Sequence, residues 1–309
     1  MSLLVWNCRG FRNLPTEKEL GDLTRAQDPS VLFIVETWTD EARLQKIKRN
    51  LQFDHMFFVP RFTLGGGLVL FWKDSLNLNV ETSSKNHIDC IIDKGKEDAW
   101  RFTGFYREPI THKRRESWDL LRQLKSQFLL PWVCAGDYNE IVRGSEKKVG
   151  ANRSHAQMQL FRDALDACEF IDMGYSGYQF TWKIFFRDGN SIWERLDRSL
   201  ANSEWLARFG GSKVVHLNCS TSDHSPLLII PKPVDSVNPS KPFRFEEMWL
   251  TDKGCAQTVK AVWEKRGPPN QSSGIVSKID DCGVALKKCS SKQFGCVQKD
   301  LQKKQKLLA

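Results

Sequence analysis

Apolar residues along this chain fall into two rhythms. In one, four or five stand in a row, as in Val31-Leu32-Phe33-Ile34-Val35 and Leu227-Leu228-Ile229-Ile230, the pattern of a short strand buried on both faces. In the other they return every three or four positions, as at Trp118, Leu121 and Leu124, and mark one face of a helix. These rhythms predict strands at residues 2–6, 31–36, 55–59, 67–73, 76–82, 88–93, 99–106, 131–135, 178–182, 191–196, 213–217 and 226–230. Helices are predicted at 16–27, 41–50, 113–128 and 155–168. Thr16, with Glu19 three residues on, reads as the N-cap and capping box of the first helix. The strands at 178–182 and 191–196 suit a hairpin across Arg187-Asp188-Gly189-Asn190. Runs of strands broken by helices point to an α/β fold of two packed, mostly antiparallel sheets flanked by helices, rather than a parallel wind.

Proline then sets the domain plan. Pro231, Pro233, Pro239 and Pro242 mark a linker over 232–242, which leaves a domain at 1–231 and a tail at 243–309. The tail is predicted to be helical at 243–266 and 275–308. Charge follows the same division: residues 1–230 hold 31 Lys/Arg against 29 Asp/Glu, and residues 243–309 hold 13 against 7. Lys287, Lys288, Lys292, Lys299, Lys303, Lys304 and Lys306 make its last stretch basic. No run approaches the roughly 18 apolar residues of a membrane span. No apolar leader precedes the first strand, so no signal peptide is expected. The nine cysteines are scattered without a CxxC pair, as reduced thiols inside a cell would be. Cys282, Cys289 and Cys296 recur every seven residues and read as a helical stripe before a metal site.

Candidate chemistry gathers where apolar runs end. Val31–Val35 runs into Glu36-Thr37-Trp38, Trp132-Val133-Cys134-Ala135-Gly136 runs into Asp137-Tyr138-Asn139, and Ser222-Asp223-His224 precedes Leu227. A carboxylate at the mouth of a buried strand is costly unless something pairs with it or coordinates it. Any one of these acids could be a cap, a turn residue or a solvated charge, and Asp-Tyr-Asn could form an Asx-turn. Together with Asn7 and Asp197 they make an oxygen-rich set that suits magnesium and phosphate chemistry. Arg9, Arg12, Arg107, Lys113, Arg114, Arg115 and Arg153 could line a phosphate path, although each alone reads as a solvated charge. His55, His87, His112, His155 and His216 read as surface or strand-edge residues.

The ordered motifs Trp6-Asn7-Cys8-Arg9-Gly10, Glu36-Thr37-Trp38, Gly104-Phe105-Tyr106, Gly136-Asp137-Tyr138-Asn139-Glu140, Phe180-Thr181-Trp182, Glu194-Arg195-Leu196-Asp197-Arg198 and Ser222-Asp223-His224 resemble the endonuclease/exonuclease/phosphatase superfamily. More narrowly they resemble the endonuclease domain of plant LINE-type (non-LTR) retrotransposon proteins. Gly65-Gly66-Gly67-Leu68 before Phe71-Trp72, Ser117-Trp118 before Leu120-Leu121, and Leu200-Ala201-Asn202 carry the narrower likeness. The resemblance covers residues 1 to about 231. It implies a four-layer sandwich and a tail that leads towards a reverse transcriptase, of which these residues carry no motif.

By the same resemblance, Glu36 holds the metal with Asn7 beside it, and Asp223 contributes to a second or alternate metal position. Asp137 activates water and Asn139 holds it or the phosphate. His224 donates to the scissile phosphate, Asp197 orients His224, and Tyr106 donates to the phosphate. Thr181 and Arg9 are the implied substrate contacts. The cofactor is magnesium, with manganese as an alternative, and the partner is DNA in the nucleus, with no membrane. Two departures stand out: Arg9 occupies a position where some members carry a further acid, and Glu194 replaces a Trp found in repair enzymes. The leading reading is a metal-dependent endonuclease that nicks one strand of duplex DNA. The alternatives are a phosphoester phosphatase and a catalytically silent or merely nucleic-acid-binding remnant.

Overall fold

The computed structural model describes residues 1–11, 14–60, 66–107, 114–233, 253–264 and 281–286. The chain divides into two compact units, Met1–Asp235 and Ser236–Ala309.

The first unit holds two six-stranded sheets. One is built from β1 (Leu3–Asn7), β2 (Val31–Val35), β3 (His55–Val59), β4 (Leu68–Trp72), β14 (Lys213–His216) and β15 (Leu227–Ile230). Their order is β14-β15-β1-β2-β4-β3. The other holds β5 (Leu78–Ser84), β6 (His87–Ile92), β7 (Trp100–Tyr106), β8 (Trp132–Asp137), β10 (Ile171–Asp172) and β13 (Asp197–Ala201), in the order β10-β13-β8-β7-β6-β5. Each sheet is antiparallel except at its central pair, β1 with β2 and β7 with β8. A parallel pair needs a crossover of a dozen or more residues. Helices α1 (Leu14–Gln27) and α3 (Arg114–Lys125) lie in the two crossovers. Helices α2 (Glu41–Asn50), α4 (His155–Ala167) and α5 (Ser203–Arg208) follow, and a small sheet joins β11 (Trp182–Phe185), β12 (Ser191–Glu194) and β9 (Lys147–Lys148).

Alternation along each strand builds the layers. Leu3, Val5, Val31 and Phe33 pack between the sheets with Cys90, Phe102 and Val133. Leu4, Trp6, Leu32 and Ile34 face outward onto Leu20, Leu44 and Ile47 of α1 and α2. On the far side Phe105, Trp132 and Cys134 meet Trp118, Leu121 and Phe161 of α3 and α4. This is the expected sandwich, with every strand of the central pairs buried on both faces. The sheets approach so closely at Gly104 that a Cβ there would lie 2.5 Å from the Phe33 ring.

Some expectations change. Helix α1 starts at Leu14, so Thr16 is a buried residue of its first turn and not the N-cap. Pro15, which lacks an N–H, fits that turn. His87 opens β6 and His216 closes the edge strand β14, so both stand at strand ends as expected, but they are buried and not at the surface. His87 bonds to Thr82 and Ser84, and His216 to the Tyr178 carbonyl. The second unit contributes α6 (Lys253–Trp263) and a helical turn at 281–286. Most of the expected linker, Arg12, His112, Lys113, Cys289, Cys296 and the C-terminal lysines lie outside the described residues. Among the described residues no helix is long and apolar enough to cross a membrane.

Candidate active site

The two central parallel pairs end at the same edge of the sandwich, and that edge carries the chemistry. Asn7 closes β1, Glu36 follows β2, Tyr106 closes β7 and Asp137 closes β8. Asp197 opens the antiparallel β13 directly opposite Asp137, and His224 reaches the edge through an isolated bridge to Trp182. Gly136 is required before Asp137: its φ is +155°, and a Cβ would lie 1.8 Å from the Phe105 carbonyl oxygen. Arg9, Glu36, Trp38 and Asn139 all hold positive φ between 48° and 55°. Left-handed backbone costs a non-glycine residue roughly 1–2 kcal/mol, and such strain concentrates at functional sites.

Hydrogen bonds join these residues into one network. Asn7 Nδ2 donates to Glu36 Oε1 and to Asp137 Oδ2, both at 3.0 Å. The Tyr106 hydroxyl donates to Glu36 Oε1 at 2.9 Å. The Asn139 amide N donates to Asp137 Oδ1 at 2.8 Å, and Asn139 Nδ2 to Asp137 Oδ2 at 3.1 Å. The Asx-turn and the functional reading of this motif therefore coexist. His224 Nδ1 meets Asp197 Oδ2 at 2.9 Å, and its Nε2 lies 3.8 Å from Asp137 Oδ2. Ser222 pins the arrangement, its hydroxyl donating to the Asn7 carbonyl and accepting from the His224 amide. Trp6 Nε1 donates to the His224 carbonyl at 2.9 Å.

Four residues take other roles than those expected. Asn7 turns its amide nitrogen to the acids, while its Oδ1 accepts from the Arg9 amide at 3.2 Å. In this arrangement it bridges two carboxylates. Asp223 Oδ2 accepts from the Arg9 guanidinium and, at 2.9 Å, from Trp182 Nε1. Thr181 is buried, and its hydroxyl accepts from the amides of Leu196 and Asp197 at 3.0 and 2.9 Å. It sets the start of β13 and does not face a substrate. Arg9 is half exposed at the mouth of the site but held by Asp223.

Neighbouring basic residues are likewise committed. Arg107 is buried and donates to the Tyr138 and Asn139 carbonyls and to Glu140, which takes it off the expected phosphate path. Arg153 and Lys147 pair with the buried Glu194 at 2.6 and 2.8 Å. The Glu194 charge is thus paired with two cations. Trp182 and Ser222 gain roles that only their long-range partners reveal.

The electrostatics leave the cluster short of positive charge. Burial pushes the Asp137 carboxyl up to about 7, with Asp197 adding to the rise and His224 opposing it. Burial alone would lower His224; the carboxylates of Asp197 and Asp137 outweigh it and hold the imidazole up at about 10. Asp137, Asp197 and His224 offer ligand atoms within 4.8 Å of one another, all buried. The imidazole already faces a carboxylate from each nitrogen, so a proton suits it better than an ion. Both recorded donors to Glu36 are neutral, and Asp223 Oδ1 is buried without a partner. An oxygen-rich cluster short of positive charge fits a hard divalent cation, and Glu36 is one carboxylate that could hold it.

Comparison with known proteins agrees with this fold. A 3′ phosphatase from Neisseria, solved with a product DNA hairpin, shares the fold at a TM-score of 0.59 and 14% identity, over 75% of this chain and 99% of that one. The endonuclease domain of TRAS1, a telomere-specific non-LTR retrotransposon, gives 0.55 and 13%, over 74% and 97%. An AP endonuclease from Leishmania major gives 0.58 and 16%, over 75% and 88%. No curated protein is significantly similar in sequence. The family model for the Endonuclease/Exonuclease/phosphatase family matches residues 4–224, a span that takes in every residue of the network from Asn7 to His224, and the chain belongs to that family.

Proposed function

We propose that this chain is a divalent-metal-dependent DNA endonuclease of LINE-type retrotransposon origin, which nicks one strand of duplex DNA in the nucleus. The observation that carries the reading is the buried row Asp197–His224–Asp137, joined through Asn7 to Glu36. Asp137 is poised near neutrality by burial, which suits a general base that takes a proton from an attacking water. Asn139 holds that carboxylate through two donors. His224, charged between two acids, stabilises negative charge on the scissile phosphate, and Asp197 fixes its ring. Glu36 would hold magnesium, or manganese, which neutralises a non-bridging phosphate oxygen.

The β11–β12 hairpin favours a nucleic acid over a small phosphoester. Its base meets His224 through the Trp182 bridge. Phe185 and Phe186 are exposed, and Lys183 lies about as far from the Phe185 ring (6.0 Å) as from the Trp193 ring (5.9 Å). Aromatic and cationic groups together form a surface on which bases stack. Conversion of supercoiled plasmid to open circle with magnesium, abolished by EDTA, is the expected result. Release of phosphate from a 3′-phosphorylated oligonucleotide without nicking would favour the phosphatase alternative. Turnover of neither substrate would favour the silent remnant.

A further inference from the structure

Arg9 stands in the wild-type site where charge would otherwise be missing, and it is held there from both ends. Its amide donates to Asn7 Oδ1 at 3.2 Å, and its guanidinium pairs with Asp223. The backbone is shaped for this placement: φ is +48° at Arg9 and +99° at Gly10, where a Cβ would come within 2.5 Å of the Trp38 ring. That ring lies 6.0 Å beneath the guanidinium. Among the described residues, Arg107 is committed to Glu140, and both Arg153 and Lys147 to Glu194.

The charges at the edge can be balanced. Four carboxylates, Glu36, Asp137, Asp197 and Asp223, face one guanidinium and one imidazole bracketed by two acids. Two negative charges remain, which one divalent ion neutralises. A second ion would leave the cluster positive, and at Asp223 it would stand beside a guanidinium that never deprotonates.

We propose that the Arg9 guanidinium is the second cation of this site, so that the chain takes a single divalent ion at its Glu36 end. The inference rests on the metal-dependent reading above. Asp223 then serves as the seat of Arg9 rather than as a ligand. Chelation cannot remove the guanidinium, and its planar fork matches the oxygens of an arriving phosphate.

Counting bound ions tests this without any activity measurement. The full chain is titrated with Mn2+ and the bound ion is counted by electron paramagnetic resonance and calorimetry. Wild type should bind one Mn2+. Arg9→Asn and Arg9→Gly should bind two, because Asp223 then loses its cationic partner and keeps an unpaired Oδ1; both residues tolerate positive φ, so at least one should fold by circular dichroism. Arg9→Lys, which keeps the charge, should stay at one. Two ions in wild type, one in the Asn and Gly variants, or two in the Lys variant would each overturn the assignment of Arg9. A wild-type chain that binds no Mn2+ would instead overturn the metal-dependent reading beneath it.

Discussion

Two buried ionic clusters meet the same segment, Glu194-Arg195-Leu196-Asp197-Arg198, and they are built in opposite ways. In one, Arg198 bonds to Glu146 and to Asp172 at 2.7 Å each, and Arg195 grips Asp172 with two bonds of 2.8 Å. Two guanidinium groups match two carboxylates. Burial would raise both carboxyls, but the arginines outweigh it and hold Glu146 and Asp172 below their ordinary range. In the other cluster Asp197 and Asp137 share a single imidazole, and Asp137 is pushed up instead of down. A buried acid that is matched in charge is held ionised and the fold comes to depend on its partners, whereas one left short is available to a water, an ion or a phosphate. Alternation along β13 sends Asp197 and Arg198 to opposite faces, so adjacent residues serve the two purposes.

The largest expected effect separates the clusters by activity. Glu36→Gln and Asp137→Asn should each lower plasmid nicking by about a thousandfold or more while the circular dichroism spectrum stays unchanged. Each swap keeps the volume and removes the charge that binds the cation or takes the proton. Nicking retained in either variant would remove that residue from its role. Arg198→Ala should do the reverse to the fold: taking one partner from a buried cluster costs about 3–5 kcal/mol, read as a lower denaturant midpoint. A stability unchanged by Arg198→Ala would erase the distinction between the two clusters.

Coupling should be the next largest signal. If Asp197 acts through His224, the activity losses of Asp197→Ala and His224→Ala should be strongly non-additive, since residues that act as a unit are not lost independently. Additive losses in the double-mutant cycle would return Asp197 to a purely structural part.

What could be read in the sequence follows from how local each signal is. The strands at Val31–Val35 and Trp132–Asp137 were legible because burial on both faces writes an unbroken apolar run, and Glu36 and Asp137 were legible because they end those runs. The matched cluster was not, since Glu146 lies 52 positions from Arg198 and nothing local pairs them. For the same reason Arg107 and Arg153 resembled surface cations until Glu140 and Glu194 were seen beside them. Asn7 was placed correctly at the end of β1, but the direction of its amide depends on the Arg9 amide, which turns back only because φ is positive there. Two-residue strands such as β9 and β10 are too short to carry a period.

The two clusters should also tilt stability oppositely with pH in chain stripped of metal by EDTA. The folded pKa of Asp137 lies above its ordinary 3.8, at about 7, so the folded state binds the extra proton. That stabilising contribution is complete below about 4 and is lost as pH rises through about 7. His224 acts in the same direction, its contribution present below 6.5 and lost as pH rises through about 10. Glu146 and Asp172, with lowered pKa, contribute above their ordinary range and lose it as pH falls. Urea unfolding from pH 5 to 9 should show a decline on the alkaline side that Asp137→Asn flattens. A decline of the same slope in that variant would break the assignment.

The smallest effect concerns Thr181, where the comparison is finest. Its hydroxyl takes the amides of Leu196 and Asp197, the two residues between the arginines of one cluster and the start of the other. Thr181→Val keeps the shape and leaves two buried donors without an acceptor, a cost of about 1–3 kcal/mol for each such group at most. Because the loss falls on the residue that orients His224, the rate should drop by about tenfold through a poorer ring position, as small misplacements in a site do. Binding of uncleaved duplex should be unchanged, since a buried hydroxyl cannot touch it. Duplex affinity measured with Ca2+ in place of Mg2+ decides the point: a weakened affinity at an unchanged cleavage rate would make Thr181 a DNA contact after all, whereas a lower rate at constant affinity leaves it holding the strand on which the two clusters meet.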